Sequence, residues 1–355
     1  MLAPSPALAT HVPLMVVTRG ETVESVHAGS VAVVDRNGRL VYAAGSPHAL
    51  TFTRSALKPL QALPFVAAGG VERFGYTPQQ VALLCASHAG EPRHVDAVAG
   101  MLAKAGNTAD DLQCGTHAPY RYEAAGQLPP PPPYSPLAHN CSGKHSGMLA
   151  HCVACGYDKR DYLAYGHPLQ QEIRRAVARF AAVPEGSLVS GLDGCSAPNY
   201  ALPLERLAYA FARLATATDD PDFGRAPATL AAAMTEHPEM VSGEHGSDLA
   251  LARAGRGDWV CKIGAEGVQA IGIRSLGLGI AIKVADGNVR GLLPAAVAAL
   301  DRIGALDAAA KAALAPRARP VVRNLRGIAT GEARAVVVLD KMDRPLQRPA
   351  DRAAE

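Results

Sequence analysis

Ser55-Ala-Leu-Lys58 is the only S-x-x-K in the chain. On a helix, positions three apart share a face, so the lysine amine can reach the serine hydroxyl. A lysine is a base only when neutral, so burial or a nearby cation must lower its pKa. Arg54 and a second lysine are candidates for that cation. The bland alternative is an exposed helix lysine. Two more elements follow in chain order. Ser87 stands in CASHAGE, and Lys262-Ile-Gly264 has the form K-x-G on an expected strand. If the three meet, two Ser–Lys pairs face one another and each lysine depresses the other's pKa. The chemistry would be acyl transfer, with a serine as nucleophile and a lysine taking its proton.

A second constellation is HNCSGKH (139–145), set against GLDGCSAPNY (191–200). Cys141 and Lys144 are spaced i, i+3 at an expected helix start, with Ser142 available as cap. Asp193 and Cys195 lie in a Gly-flanked turn. Two cysteines from separate loops can bind a soft metal such as zinc. His139, His145 and Asp193 are possible further ligands, but these residues show none of the paired CxxC or HxxxH spacing of a structural zinc site. Two buried thiols, or a reactive cysteine with a histidine base, fit the same residues. Cys152-Val-Ala-Cys155 lies in an apolar helical pattern and reads as core packing. Cys85, Cys114 and Cys261 are also expected to be buried.

The elements that must position these residues fall into three blocks. LMVVTR (14–19) and VAVVDRNGRLVYAA (31–44) read as strands, the second a hairpin around Asn37-Gly38. From residue 54 to about 250 the pattern is helical: 55–67, a helix capped by Thr77-Pro78, then 92–105, 143–154, 168–182, 202–216 and 226–236. After Trp259 strands return, followed by two helices and a closing strand ARAVVVL (333–339). Strands at both ends and helices between them give an α+β fold with an inserted helical lobe, provided the terminal strands share one sheet. The proline run 129–133 reads as a stiff extended surface loop, the alternative being that it holds the cysteine loop beside a cleft.

Composition narrows the class. The chain has 355 residues, is 48% hydrophobic and 19% charged, and carries a net charge of +3. That suits a large folded core and gives no reason to expect nucleic acid as a partner. Seven cysteines, an odd number, argue for a reducing compartment rather than a disulfide framework. Neither a secretory signal nor an apolar run of the ~20 residues needed to span a bilayer is seen. The expectation is a cytoplasmic protein that does not engage a membrane.

Serine β-lactamases and transpeptidases use S-x-x-K, a polar serine element and K-[TS]-G in that order. Ser55/Lys58, Ser87 and Lys262/Gly264 follow it, although CASHAG lacks the asparagine of that middle element and Ile263 lacks a hydroxyl. More specifically, TFTRSALKPLQALPFV, CASHAGE, HNCSGKHSGML, GLDGCSAPNY and CKIGAEGV together resemble the L-asparaginase II family, the rhizobial or class 3 type, from about residue 15 to about 340. The resemblance implies a serine β-lactamase-like fold, also shared by some glutaminases. It implies one catalytic domain over 12–345, with a sheet lobe from 12–52 and 258–345, a mainly helical lobe over 53–257, and a tail at 346–355. It implies hydrolysis of L-asparagine to L-aspartate and ammonia, with glutamine or another acyl compound as the alternative substrate. Ser55 with Lys58 would be one Ser–Lys tandem, and Ser87 with Lys262 the other. Cys141, Lys144 and Cys195 would bind zinc that tunes substrate affinity, with Asp193 beside it. Arg54, His145 and Glu266 would support the site, and a homodimer would be the assembly.

Overall fold

The computed structural model describes residues 9–346. Its strands are β1 (Val12–Arg19), β2 (Thr22–Asp35), β3 (Arg39–Ala44), β4 (Leu50–Phe52), β5 (Val189–Leu192) and β6 (Pro198–Pro203). They continue with β7 (Trp259–Gly264), β8 (Val268–Ile273), β9 (Leu278–Val284), β10 (Val321–Arg323), β11 (Ala329–Ala335) and β12 (Asp340–Pro345). Nine of them form one antiparallel sheet drawn from both ends of the chain, so the fold is α+β as expected. The spine is β2, which is 14 residues long. One edge of β2 pairs with β9, and β8 and β7 follow outward. The other edge is shared: β1 takes its first half and β3 its second. From there β1 leads to β11 and β10, and β3 to β12.

Both faces of this sheet are covered, which is why Val31-Ala-Val-Val34 reads as an unbroken apolar run. Val31 and Val33 pack with Leu14, Ile271 and Ile280 beneath the helix Leu292–Arg302. Ala32 and Val34 face the opposite way, into a larger core with Leu207 and Phe211 of the helix Leu204–Thr216. The alternation is the period of two that a strand imposes. The turn at Asn37-Gly38 joins β2 to β3, and Gly38 has φ +75°, which a glycine adopts at little cost.

Three local expectations need correction. ARAVVVL is not one strand: β11 ends at Ala335, and the N–H groups of Val336 and Val337 both donate to the Leu14 carbonyl, at 2.9 and 3.2 Å. The chain there leaves the edge of β1 and crosses to β3, because those two strands share one edge of β2. The helix expected from 202 begins at Leu204, and Pro198–Pro203 is instead the middle strand of a small sheet, β4-β6-β5. The segment expected as a helix over 55–67 is split into a 3₁₀ turn, Arg54–Leu57, and an α-helix, Lys58–Ala67. Pro59 sits at the second position of that helix, where its missing N–H costs nothing. The cap at Thr77 is a full capping box with Gln80. Among the described residues no helix is long and apolar enough to cross a membrane.

Candidate active site and thiol cluster

Ser55 lies in the 3₁₀ turn, one residue after Arg54, whose backbone is left-handed at φ +49°. A left-handed arginine needs outside support. Asn199, buried on β6, supplies it. Its Oδ1 accepts from the Arg54 N–H at 3.1 Å, and its Nδ2 donates to the Arg54 carbonyl at 3.0 Å. The same Nδ2 donates to Asp193 Oδ2 at 3.3 Å. Arg54 in turn donates from Nε to Asp193 Oδ1 at 2.9 Å, and Glu266 lies 3.9 Å from its Nη1. The small sheet therefore brings Arg54, Asp193 and Asn199 together and aims Ser55. Asn199 was not singled out in the sequence, because nothing in PNY distinguishes a backbone clamp from a strand residue.

Lys58 is buried, and its Nζ donates to the Ala86 carbonyl at 2.5 Å, to Ser87 Oγ at 3.0 Å and to the Asn140 carbonyl at 3.4 Å. The lysine thus meets Ser87 rather than its i, i+3 partner. Among the described residues no side chain or backbone group hydrogen-bonds to the Ser55 hydroxyl. Ser87 is fixed by its own N–H, which donates to Val241 at 2.8 Å.

Lys262 differs from the expected pairing. Its Nζ donates to Asp248 Oδ2 at 3.3 Å and to the Ile263 carbonyl at 2.9 Å, not to Ser87. Both partners of that ion pair are buried, with 0% and 2% of their side chains exposed. The carboxylate captures the ammonium that the sequence pattern assigned to the serine. The strand that carries Lys262 comes very close to the Ser55 turn. A Cβ on Gly264 would lie 2.6 Å from the Thr53 carbonyl and 3.3 Å from the Ala56 nitrogen. The glycine of K-x-G is thus required by contact with the serine turn.

The HNCSGKH stretch opens the helix Ser142–Cys155, with Cys141 at the cap position. Ser142 is not the cap. Its hydroxyl donates to the Leu137 carbonyl at 2.8 Å and meets His88 Nε2 at 2.9 Å. His139 accepts the Cys141 N–H at Nδ1, 3.0 Å away, and burial pushes its pKa down to about 3. Lys144, on the next turn, reaches across to the 193–196 turn, where Nζ is 3.1 Å from Cys195 Sγ. A hydrogen bond from the Cys141 thiol holds Cys195 as thiolate, well below the usual thiol range, against burial and with help from Lys144. The same bond, with burial, pushes Cys141 up. Burial alone would lower Lys144, but the neighbouring sulfurs outweigh it and raise it. His145 gives Nδ1 to a 2.7 Å bond with the Tyr162 hydroxyl, while its buried Nε2 completes no hydrogen bond although Cys195 is close.

Two thiols and a nearby orphaned imidazole nitrogen suit a borderline-soft ion such as zinc. Among the described residues, however, no three His, Cys, Asp or Glu side chains converge on one metal position. A metal here therefore needs the Lys144 amine as its third donor, after loss of its proton. None of the seven cysteines is in a disulfide. Cys85, Cys114, Cys152 and Cys261 are buried as expected, but Cys155 is exposed and approaches His151 Nε2 at 3.7 Å.

Two cavities meet at Ser55. One, about 620 Å³, is lined by Arg54, Ser55, Tyr120, Cys141, Asp193, Cys195 and Ala265, with Pro129 of the proline run at its margin. The other, about 320 Å³, is lined by Ser55, Ser87, Ser242, His245, Gly264 and Ala265. A third cavity of about 840 Å³ lies elsewhere and is lined by none of the candidate catalytic, metal-binding or supporting residues.

A serine hydroxyl open to a cavity, beside a second serine held by a buried lysine, has the parts that serine acyl hydrolases use. The chain belongs to the L-asparaginase II family, whose profile matches residues 15–335. No curated protein gives a significant sequence match. Among solved structures it is similar to Mglu in its native form, at 18% identity and TM-score 0.36, covering 79% of this chain and 62% of that one. The chain thus spans less than two thirds of Mglu. It is also similar to a β-lactamase from Mycobacterium bovis, at 14% identity and TM-score 0.40, covering 77% and 94% of the two chains. EstCE1, described as a hydrolase with promiscuous acyltransferase activity, matches at 13% identity and TM-score 0.39, covering 72% and 88%. At these identities and scores no functional statement rests on the three likenesses.

Proposed function

We propose that the protein is an amidohydrolase that converts L-asparagine and water to L-aspartate and ammonia through an acyl-enzyme. The observation that carries the reading is the Lys58–Ser87 hydrogen bond of 3.0 Å, with the unbonded Ser55 hydroxyl on the same cavity. Family membership supports the amide substrate. In this reading Ser55 Oγ attacks the side-chain amide carbon, and its proton passes through the Ser87 hydroxyl to Lys58. The amides of Ser55 and Ala265, both at the cavity wall, receive the developing oxyanion. Collapse returns the proton to the leaving nitrogen, ammonia departs, and a Ser55 ester remains. Water then attacks the ester by the reverse proton path, releasing aspartate and restoring Ser55. Arg54 and Asp193, at the cavity wall, offer a cation and an anion to the substrate's α-carboxylate and α-ammonium.

Ser87 as nucleophile is a second reading, favoured by its direct bond to Lys58. Mass spectrometry of protein quenched during turnover decides between them. An adduct is expected in Ser87→Ala and not in Ser55→Ala; the reverse assigns attack to Ser87. Glutamine is the alternative substrate, because a cavity of about 620 Å³ has room for one more methylene. Ammonia release from the two amino acids, with nitrocefin as control for penicillin recognition, separates these cases.

We also propose zinc as the ion of the thiol cluster, held by Cys141, Cys195 and the deprotonated Lys144. When bound it would act as a cross-link between the two loops rather than as a Lewis acid. Those loops carry Asn140 and Asp193, which touch Lys58 and Arg54, so the ion would tune the fit of substrate. A homodimer is the proposed assembly, checked by light scattering.

A further inference from the structure

The two buried lysines have unlike surroundings. Lys58 meets two carbonyls and a hydroxyl, and no carboxylate lies within ion-pair distance of it among the described residues. Lys262 meets Asp248, in the first turn of the helix Ser247–Gly255. That carboxylate is fixed at three further points. Its Oδ2 accepts the Ile263 N–H at 2.9 Å, its Oδ1 accepts Gln269 Nε2 at 3.1 Å, and its own helix supplies a positive N-terminal end. Asp248 thus ties the helix to two strands, β7 and β8, at the residue next to Lys262. Lys262 itself lines neither cavity at Ser55; its neighbours Ile263 and Gly264 line the smaller one.

We propose that Asp248 is a positioning residue that divides the work of the two lysines, fixing Lys262 as a permanent cation behind the site and leaving proton transfer to Lys58. The proposal rests on the Ser–Lys reading above and deepens it. It removes Lys262 from the proton relay that its K-x-G position implies. The charged and titratable groups that face Lys262 are Asp248 from the helix, Lys58, Cys141 and Cys85. Burial lowers the pKa of Lys262, Asp248 opposes that, and Lys58 adds to the lowering. Without the carboxylate, burial and the second lysine are opposed only by the weaker influence of Cys141, and the ammonium becomes the disfavoured form. No bond is made or broken by Asp248; its effect passes through the charge on Lys262.

The test is ¹⁵N NMR of lysine-labelled protein, with the Lys262 Nζ signal assigned by its absence in Lys262→Met. Wild type is expected to show an ammonium at pH 8, and Asp248→Asn an amine. A wild-type amine, or an ammonium that survives in Asp248→Asn, overturns the proposal. If Asp248→Asn does not fold, the wild-type signal still decides. Kinetics supply a second readout. Asp248→Asn should lower kcat by about 10²-fold with KM within about threefold, and recover at lower pH as Lys262 regains its proton. In the Lys262→Met background the same substitution should cost less than about threefold, because the residue acts through Lys262. Additive losses overturn the proposal. Absence of ammonia release by wild type would instead sink the functional reading, while the NMR result would still decide the role of Asp248.

Discussion

Asn199→Ala tests whether a backbone clamp aims Ser55. The substitution removes both partners of Arg54's peptide groups, at 3.1 and 3.0 Å, in a site where Asn199 is 2% exposed. Each backbone group left unpaired costs about 1–3 kcal/mol, so a loss of about 2–6 kcal/mol is expected for the two. For a chain of 355 residues the specific unfolding entropy converts this to a Tm lower by about 3–8 °C. Function should suffer more than stability. A left-handed arginine is strained by about 1–2 kcal/mol, and without its clamp the turn relaxes and carries Ser55 with it. A displacement of that kind costs about 10²-fold in kcat. Calorimetry and a coupled ammonia assay give the two numbers. Arg54→Gly is the control, since glycine accepts φ +49° without strain but removes the contact to Asp193. It should unfold at a higher temperature than Arg54→Ala. Asn199→Ala with wild-type kcat and an unchanged Tm would refute the clamp.

Gly264→Ala should abolish most activity, because its Cβ would meet the Thr53 carbonyl at 2.6 Å and push β7 off the Ser55 turn; retained kcat in a folded variant contradicts this. Stability should fall on acidification. Burial lowers the pKa of His88, His139 and His145, His139 to about 3, so the unfolded chain binds protons that the folded one refuses. Their contribution is intact above the unfolded value of about 6.5 and is lost progressively below it, as Tm measured between pH 7 and pH 4 should show. Protein purified without chelator or added metal should contain zinc by elemental analysis, and Cys141→Ser with Cys195→Ser should not; equal metal in both rejects the thiol cluster as the site. Zinc removal should raise KM more than it lowers kcat, and a loss confined to kcat would assign the ion a direct chemical role.

The antiparallel sheet was legible because β2, β3, β8 and β9 alternate or run apolar and turn at Asn-Gly or glycine. The split of ARAVVVL was not, since the crossover is decided by which strand owns the edge of β2, a long-range fact. At the site, the residue types in S-x-x-K and K-x-G were visible, but their pairing was not. Helical spacing put Lys58 on Ser55, whereas the folded chain gives it Ser87, 29 positions away. Asp248 escaped notice because GEHGSDLALARAG reads as an ordinary helix start, where an aspartate is usual. The thiol cluster was foreseen as two loops meeting, and the Lys144–Cys195 contact of 3.1 Å joins them.

The most direct test of the account is ammonia release by the purified protein from L-asparagine, with L-glutamine in parallel. The account predicts turnover of asparagine, lost in both Ser55→Ala and Lys58→Ala, with kcat/KM about tenfold or more above that for glutamine. No ammonia from asparagine, or turnover that survives both substitutions, would contradict it.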